Sequence, residues 1–110
     1  MKDDRKYLAY ILECIDRIEV DSSGGREDYD TSHMVQDAIL RNLQTMAEST
    51  KRLSAEFKAR YPEIDWRGIG GFRNFLVHDY LGVDPNAVWR VAREDLPKLK
   101  RVVLEAIAAG

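Results

Sequence analysis

Thr31-Ser32-His33-Met34-Val35-Gln36-Asp37-Ala38-Ile39-Leu40-Arg41-Asn42-Leu43-Gln44-Thr45-Met46-Ala47 is the stretch on which the fold turns. Met34, Val35, Ala38, Ile39, Leu43, Met46 and Ala47 recur at steps of three and four, which puts apolar side chains on one face of an α-helix. The strict alternation of a half-buried strand is absent. The same spacing continues on both sides. Leu8, Ile11, Leu12, Ile15 and Ile18 predict a first helix from about Asp3 to Val20. Asp21-Ser22-Ser23-Gly24-Gly25 stops it, because Gly and short polar residues favour a turn. Glu27-Asp28-Tyr29-Asp30 reads as a short helical turn or a loop. The long helix from about Thr31 either continues or kinks near Ser49-Thr50, through Leu53 and Phe57 to Arg60. Pro62 bars an easy continuation.

Further on, Asp65 can cap a helix running from Trp66 to about Leu81, which Gly82 closes. Asp84-Pro85 opens the next, with an acidic cap and Pro at the first helical position. Asp95-Leu96-Pro97 repeats the device for a last helix carrying Leu99, Val102, Val103, Leu104 and Ile107. Four main helices with short loops predict an all-α antiparallel four-helix-type bundle with a short extra helix or helices. At 110 residues the chain fits one domain, 1–110.

Composition narrows the function classes. Hydrophobic residues at 45% can fill a core, and charged residues at 33% cover a soluble surface. No apolar run is long enough to span a bilayer, and Met1-Lys2-Asp3-Asp4-Arg5-Lys6 does not open a signal peptide. A cytoplasmic location is the default expectation. The one cysteine, Cys14, lies beside the first apolar stripe and is expected to be a buried structural thiol. His33 is isolated, and no Asp/Glu/His cluster has the spacing of a dedicated metal site, so neither a metal nor a cofactor is expected.

The net charge of −2 argues against a general nucleic-acid coat protein. The charge is unevenly spread. Residues 1–30 carry five Lys/Arg against nine Asp/Glu, and residues 41–73 carry seven against four. A basic face of that kind can attract RNA phosphates. Taken alone, the Lys/Arg of 51–60 read as a solvated helix surface.

The chemistry concentrates in Arg73-Asn74-Phe75-Leu76-Val77-His78-Asp79-Tyr80. Arg can grip a phosphate with two prongs. His can move a proton near neutral pH. Asn74, four residues before His78, can orient the imidazole or a phosphate. In a regular helix Arg73 and Tyr80 fall nearly on one line, whereas His78 sits about 140° from Arg73. Either the helix loosens before His78, or a second copy of the chain completes the site. Gly68 and Gly71 leave little bulk on the His78 face. Glycine in a helix costs about 1 kcal/mol relative to Ala, which a close approach by another backbone would offset. A two-fold homodimer with both His78 side chains beside one cleft is the resulting expectation. The plain readings stand alongside: a His at a helix end as dipole partner, Arg73 in a salt bridge, Tyr80 as a core ring.

The octet resembles the Arg-x4-His-x-Tyr signature of the HepT-like (DUF86) branch of the HEPN domains. The resemblance extends over most of the chain. It takes in Asp16-Arg17-Ile18, Leu43 to Glu48, Trp66 to Phe72, Leu81-Gly82-Val83-Asp84, Val88-Trp89 and Asp95-Leu96-Pro97. It implies a dimeric all-α HEPN bundle and a ribonuclease toxin paired with a minimal nucleotidyltransferase antitoxin. Arg73 and His78 would be its catalytic residues, with Asn74 in support. Tyr80 matches the tyrosine that the partner modifies with AMP. Asp79 occupies the variable position and adds a negative charge beside His78. RNA carries its own nucleophile in the 2′-hydroxyl, so no metal is needed to generate one. An alternative reading is a non-catalytic helical module that binds a nucleotidyltransferase and nucleotide or RNA. A third is a plain dimeric scaffold.

Overall fold

The computed structural model describes residues 2–70 and 84–109, and all the regular structure in them is helical. Helix α1 spans Lys2–Asp21, α2 Gly25–Thr31, α3 His33–Lys51 and α4 Ala55–Ala59. Helix α5 is described over residues 66–70. Helix α6 spans Pro85–Arg90, a π-helical turn Val91–Asp95, and α7 Leu96–Ala109.

The ends of these helices follow from local chemistry. After α1, Gly25 takes a φ of 86°, a left-handed conformation open to glycine at little cost. Ser32 caps α3 by accepting from the Val35 N–H at 3.2 Å. Of the two readings of Glu27–Asp30, a short helical turn or a loop, the structure has the helical one, as part of α2. The long helix neither continues nor kinks at Ser49-Thr50: it stops at Lys51, and Ser54 starts α4 by accepting from the Phe57 N–H at 3.0 Å.

The C-terminal region departs from expectation. Asp95-Leu96-Pro97 does not begin a separate helix, because helical structure runs from Pro85 to Ala109 without a break. Pro97 has no N–H, and its ring crowds the carbonyl four residues back. The π-helical turn immediately before it, closed by the Leu96 N–H on the Val91 carbonyl, absorbs the misfit within one continuous helix. Asp95 therefore lies inside the π-turn instead of capping α7.

Leu8, Ile11, Ile15 and Ile18 of α1 meet Ile39, Leu43 and Met46 of α3 and Leu99, Val102 and Val103 of α7 in one core. Each such side chain contributes about 1.5–3 kcal/mol by leaving water. Cys14 is buried among them, as expected. Asp4 near the start of α1 meets Ser54 beyond the end of α3, so these two packed helices run antiparallel. Lys100 of α7 pairs with Asp16 at 3.4 Å and Glu19 at 2.7 Å near the end of α1, so α7 is also antiparallel to α1.

Three apolar assignments are corrected. Met34 is 82% exposed, and Leu104 and Ile107 are exposed as well. Met34 stands five residues before Ile39 and Leu104 five after Leu99, each about 140° around the helix from a buried partner. Ile107 falls near the end of α7, beyond the last buried residue, Val103.

Candidate active site

Arg73, Asn74, His78, Asp79 and Tyr80 all lie outside the described residues. What the structure describes are the elements on either side: α5, from which the segment departs, and α6, to which it returns.

On the first side, Asp65 acts as the expected cap. Its Oδ1 accepts from the Gly68 N–H at 3.0 Å, and its carbonyl accepts from the Ile69 N–H at 3.0 Å. The Trp66 indole donates to the Tyr61 carbonyl at 3.1 Å. Phe57 of α4 packs against both rings, its centroid 5.1 Å from Tyr61 and 6.0 Å from Trp66. An aromatic wedge with a fixed polar end thus sets where α5 begins. Gly68 has a reason within the chain for being bare, since a Cβ there would lie 2.2 Å from Asp65 Oδ2. Gly71, its companion in the proposed close approach, is outside the described residues.

On the second side, Asp84 Oδ1 accepts from the Asn86 N–H at 2.9 Å, with Pro85 at the first helical position. Sequence reasoning missed what holds this turn. The buried Tyr29 of α2 donates its hydroxyl to the Pro85 carbonyl at 3.0 Å and packs its ring 4.9 Å from Trp89. Arg26 lies 5.9 Å over Tyr29, pairs with Asp30 at 2.8 Å and reaches the Asn86 side chain. Arg93 covers Trp89 at 5.5 Å. A lone aromatic in the acidic run Glu27–Asp30 was the signal available in the sequence. Burial pushes the Tyr29 phenol up, Arg26 counteracts this, and Asp30 and Asp84 reinforce it.

Lys51 of α3 lies against α5 at Gly70. The Lys58 ammonium is 3.5 Å from the Lys51 carbonyl. Burial pushes the Lys58 pKa down; nearby Asp4 opposes this, and Lys51 adds to it. A cavity of about 260 Å³ is lined by Glu63, Ile64, Asp65, Gly68, Ile69, Asp95 and Lys98. Among the described residues no group of three or more His, Cys, Asp or Glu is arranged to hold a metal ion. His33 is exposed. Burial raises the Cys14 thiol, with Arg17 opposing and Glu13 reinforcing, so thiolate chemistry is disfavoured there. No helix in the described residues is long and apolar enough to cross a membrane.

Comparisons with known proteins bear on the whole chain. A family profile described as "Ribonuclease HepT-like" matches residues 11–106. A Thermococcus cleftensis protein named "Probable ribonuclease HepT" is 35% identical, covering 90% of this chain and 91% of its own length. A Methanocaldococcus jannaschii protein named "Putative RNase MJ1380" is 30% identical over 93% of this chain and 94% of its own. Another from that organism, "Gamma-glutamylcyclotransferase and putative RNase MJ0434", is 38% identical over 94% of this chain, which spans only 47% of that relative's length. No solved structure matches. The match over nearly the full chain, on an all-helical bundle with the expected cap ahead of the octet and the expected cap behind it, establishes that this chain belongs to the HepT-like ribonuclease family.

Proposed function

We propose that this chain is a metal-independent endoribonuclease, the toxin of a toxin–antitoxin pair. The observation that carries the reading is Arg73-x4-His78-x-Tyr80 in a chain of the HepT-like ribonuclease family. The RNA 2′-oxygen attacks the adjacent phosphorus, forming the 2′-O–P bond and breaking the P–O5′ bond. His78 serves as base toward the 2′-hydroxyl or as acid toward the departing 5′-oxygen. Arg73 stabilises the charge that grows on the phosphoryl oxygens. Asn74 orients the imidazole or the phosphate. The products are a 2′,3′-cyclic phosphate and a 5′-hydroxyl. In a homodimer, two His78 side chains beside one cleft divide the base and acid roles. The reaction takes place in the cytoplasm.

Silencing follows from the same geometry. A partner minimal nucleotidyltransferase transfers AMP to Tyr80: the phenol oxygen attacks the α-phosphate of ATP, and pyrophosphate leaves. The bound phosphate then occupies the grip of Arg73 and repels RNA.

The test is to incubate wild-type and His78→Ala protein with total cellular RNA in EDTA and map the cut ends. Cuts with cyclic-phosphate and 5′-hydroxyl ends, lost in the variant, are expected. No cuts from folded, unmodified wild-type dimer would favour a non-catalytic module that docks a nucleotidyltransferase. Mass spectrometry after incubation with partner and ATP should find AMP on Tyr80, and an unmodified Tyr80 would reject the silencing step.

A further inference from the structure

Lys51 closes α3, and its stem lies against the backbone of α5. A Cβ on Gly70 would sit 3.0 Å from Lys51 Cγ and 3.6 Å from Cδ. Lys58 reaches the end of α3 from α4, its Nζ 3.5 Å from the Lys51 carbonyl. Two cationic side chains from two elements thus lie at the end of α3, one of them against Gly70. Neither forms a salt bridge with a described residue. Asp4 is the acid that attracts Lys58, but both of its oxygens are engaged. Oδ1 accepts from the Ser54 N–H at 2.8 Å, and Oδ2 accepts from the Ser54 hydroxyl at 2.7 Å. Burial disfavours the charge on Lys58 and the nearby Lys51 adds to this, an arrangement that an anion would relieve.

The negative end of α3 accounts for one cation near its last carbonyls. It does not account for a second whose stem is fitted onto Gly70. That placement matters because Gly70 stands three positions before Arg73. Chain connectivity alone keeps the two Cα atoms within about 11 Å.

We propose that Lys51 and Lys58 form a second phosphate grip, which holds two phosphates of the RNA backbone next to the one that Arg73 engages. This rests on the ribonuclease reading and adds a substrate-positioning site to it. A grip on phosphates is blind to base sequence, so its loss raises KM and leaves kcat nearly unchanged.

The experiment uses a fluorescent single-stranded 2′-O-methyl RNA, which lacks the internal nucleophile and so survives incubation. Its Kd is measured by anisotropy over a range of salt for wild type, Lys51→Gln/Lys58→Gln and Lys51→Arg/Lys58→Arg. The double Gln variant should bind roughly tenfold more weakly at 0.1 M salt, and its log Kd against log salt should flatten by roughly 1.4, for two phosphates at about 0.7 each. The Arg variant should bind like wild type. If circular dichroism shows the double Gln variant unfolded, Lys51→Gln alone, at an exposed position, should still lower the slope by about 0.7. Wild-type affinity and slope in a folded Gln variant would overturn the grip. Continued His78-dependent cutting would then leave the ribonuclease reading intact. A wild type that neither binds the probe nor cuts RNA would overturn both.

Discussion

Asp65 and Gly68 form a matched pair: the carboxylate accepts from the Gly68 N–H at 3.0 Å, and in this rotamer its other oxygen occupies the space a Gly68 Cβ would need, 2.2 Å away. The cap and the bare position are one device, three residues apart, at the start of the helix that leads toward Arg73. Asp65→Ala should lower stability by about 1 kcal/mol, read from the urea midpoint. Gly68→Ala should bring little or no gain in the wild type, because the Cβ displaces the cap. In an Asp65→Ala background it should stabilise by up to about 1 kcal/mol. Equal effects in both backgrounds would show that the two positions are independent.

Tyr29 ties α2 to α6 through the Pro85 carbonyl. Tyr29→Phe should cost about 1 kcal/mol while leaving the ring packing intact. The pH dependence has a definite sign. Burial raises the folded phenol above the ordinary value of about 10. The stability this contributes is fully present below that pH and is lost as pH rises through the folded value. Thermal melts of wild type should therefore fall off in that alkaline range, and those of Tyr29→Phe should fall off less.

Asp4 is buried and accepts both the N–H and the O–H of Ser54. Asp4→Ala leaves those two donors without their acceptor, at a cost of about 1–3 kcal/mol. The same change removes the acid that favours the Lys58 charge. A denaturant midpoint indistinguishable from wild type would mean that water replaces the carboxylate.

His78→Ala should reduce RNA cleavage by about 10²–10⁴-fold, the usual contribution of a positioned acid or base, with helicity and melting temperature close to wild type. Arg73→Lys keeps the charge but loses the two-pronged geometry. It should retain binding better than turnover. A stability loss in these variants with cleavage unchanged would assign the octet a structural role.

The contrast between Leu43 and Met34 shows how far local reading reaches. Both fit the apolar spacing of α3, yet Leu43 is buried and Met34 is 82% exposed. Spacing identifies a helix and a set of candidates for its face. Which members are covered depends on where α1 and α7 pass. Asp84 and Asp65 were legible as caps because a cap is an interaction over two or three residues. Asp95 carries the same signature and caps nothing. The helix before it was already running, and a π-turn could absorb Pro97. The Tyr29–Pro85 bond joins residues 56 apart, and no pattern in either segment announces it.

The chemistry of the candidate site was likewise stated by residue types alone: Arg73, His78 and Tyr80 in one octet. By itself the sequence determined the helical class, the stop of α1 ahead of Gly24-Gly25, the caps at Asp65 and Asp84, and the resemblance that the family match bears out. These depend on periodicity and on contacts a few residues long. Tertiary structure alone decided that Lys51 lies against Gly70 and Lys58 against the Lys51 carbonyl, that α2 clamps α6, and that Asp4 holds Ser54. Such contacts exist only once packing of the apolar faces has fixed the helices against one another, and that packing sums over the whole core.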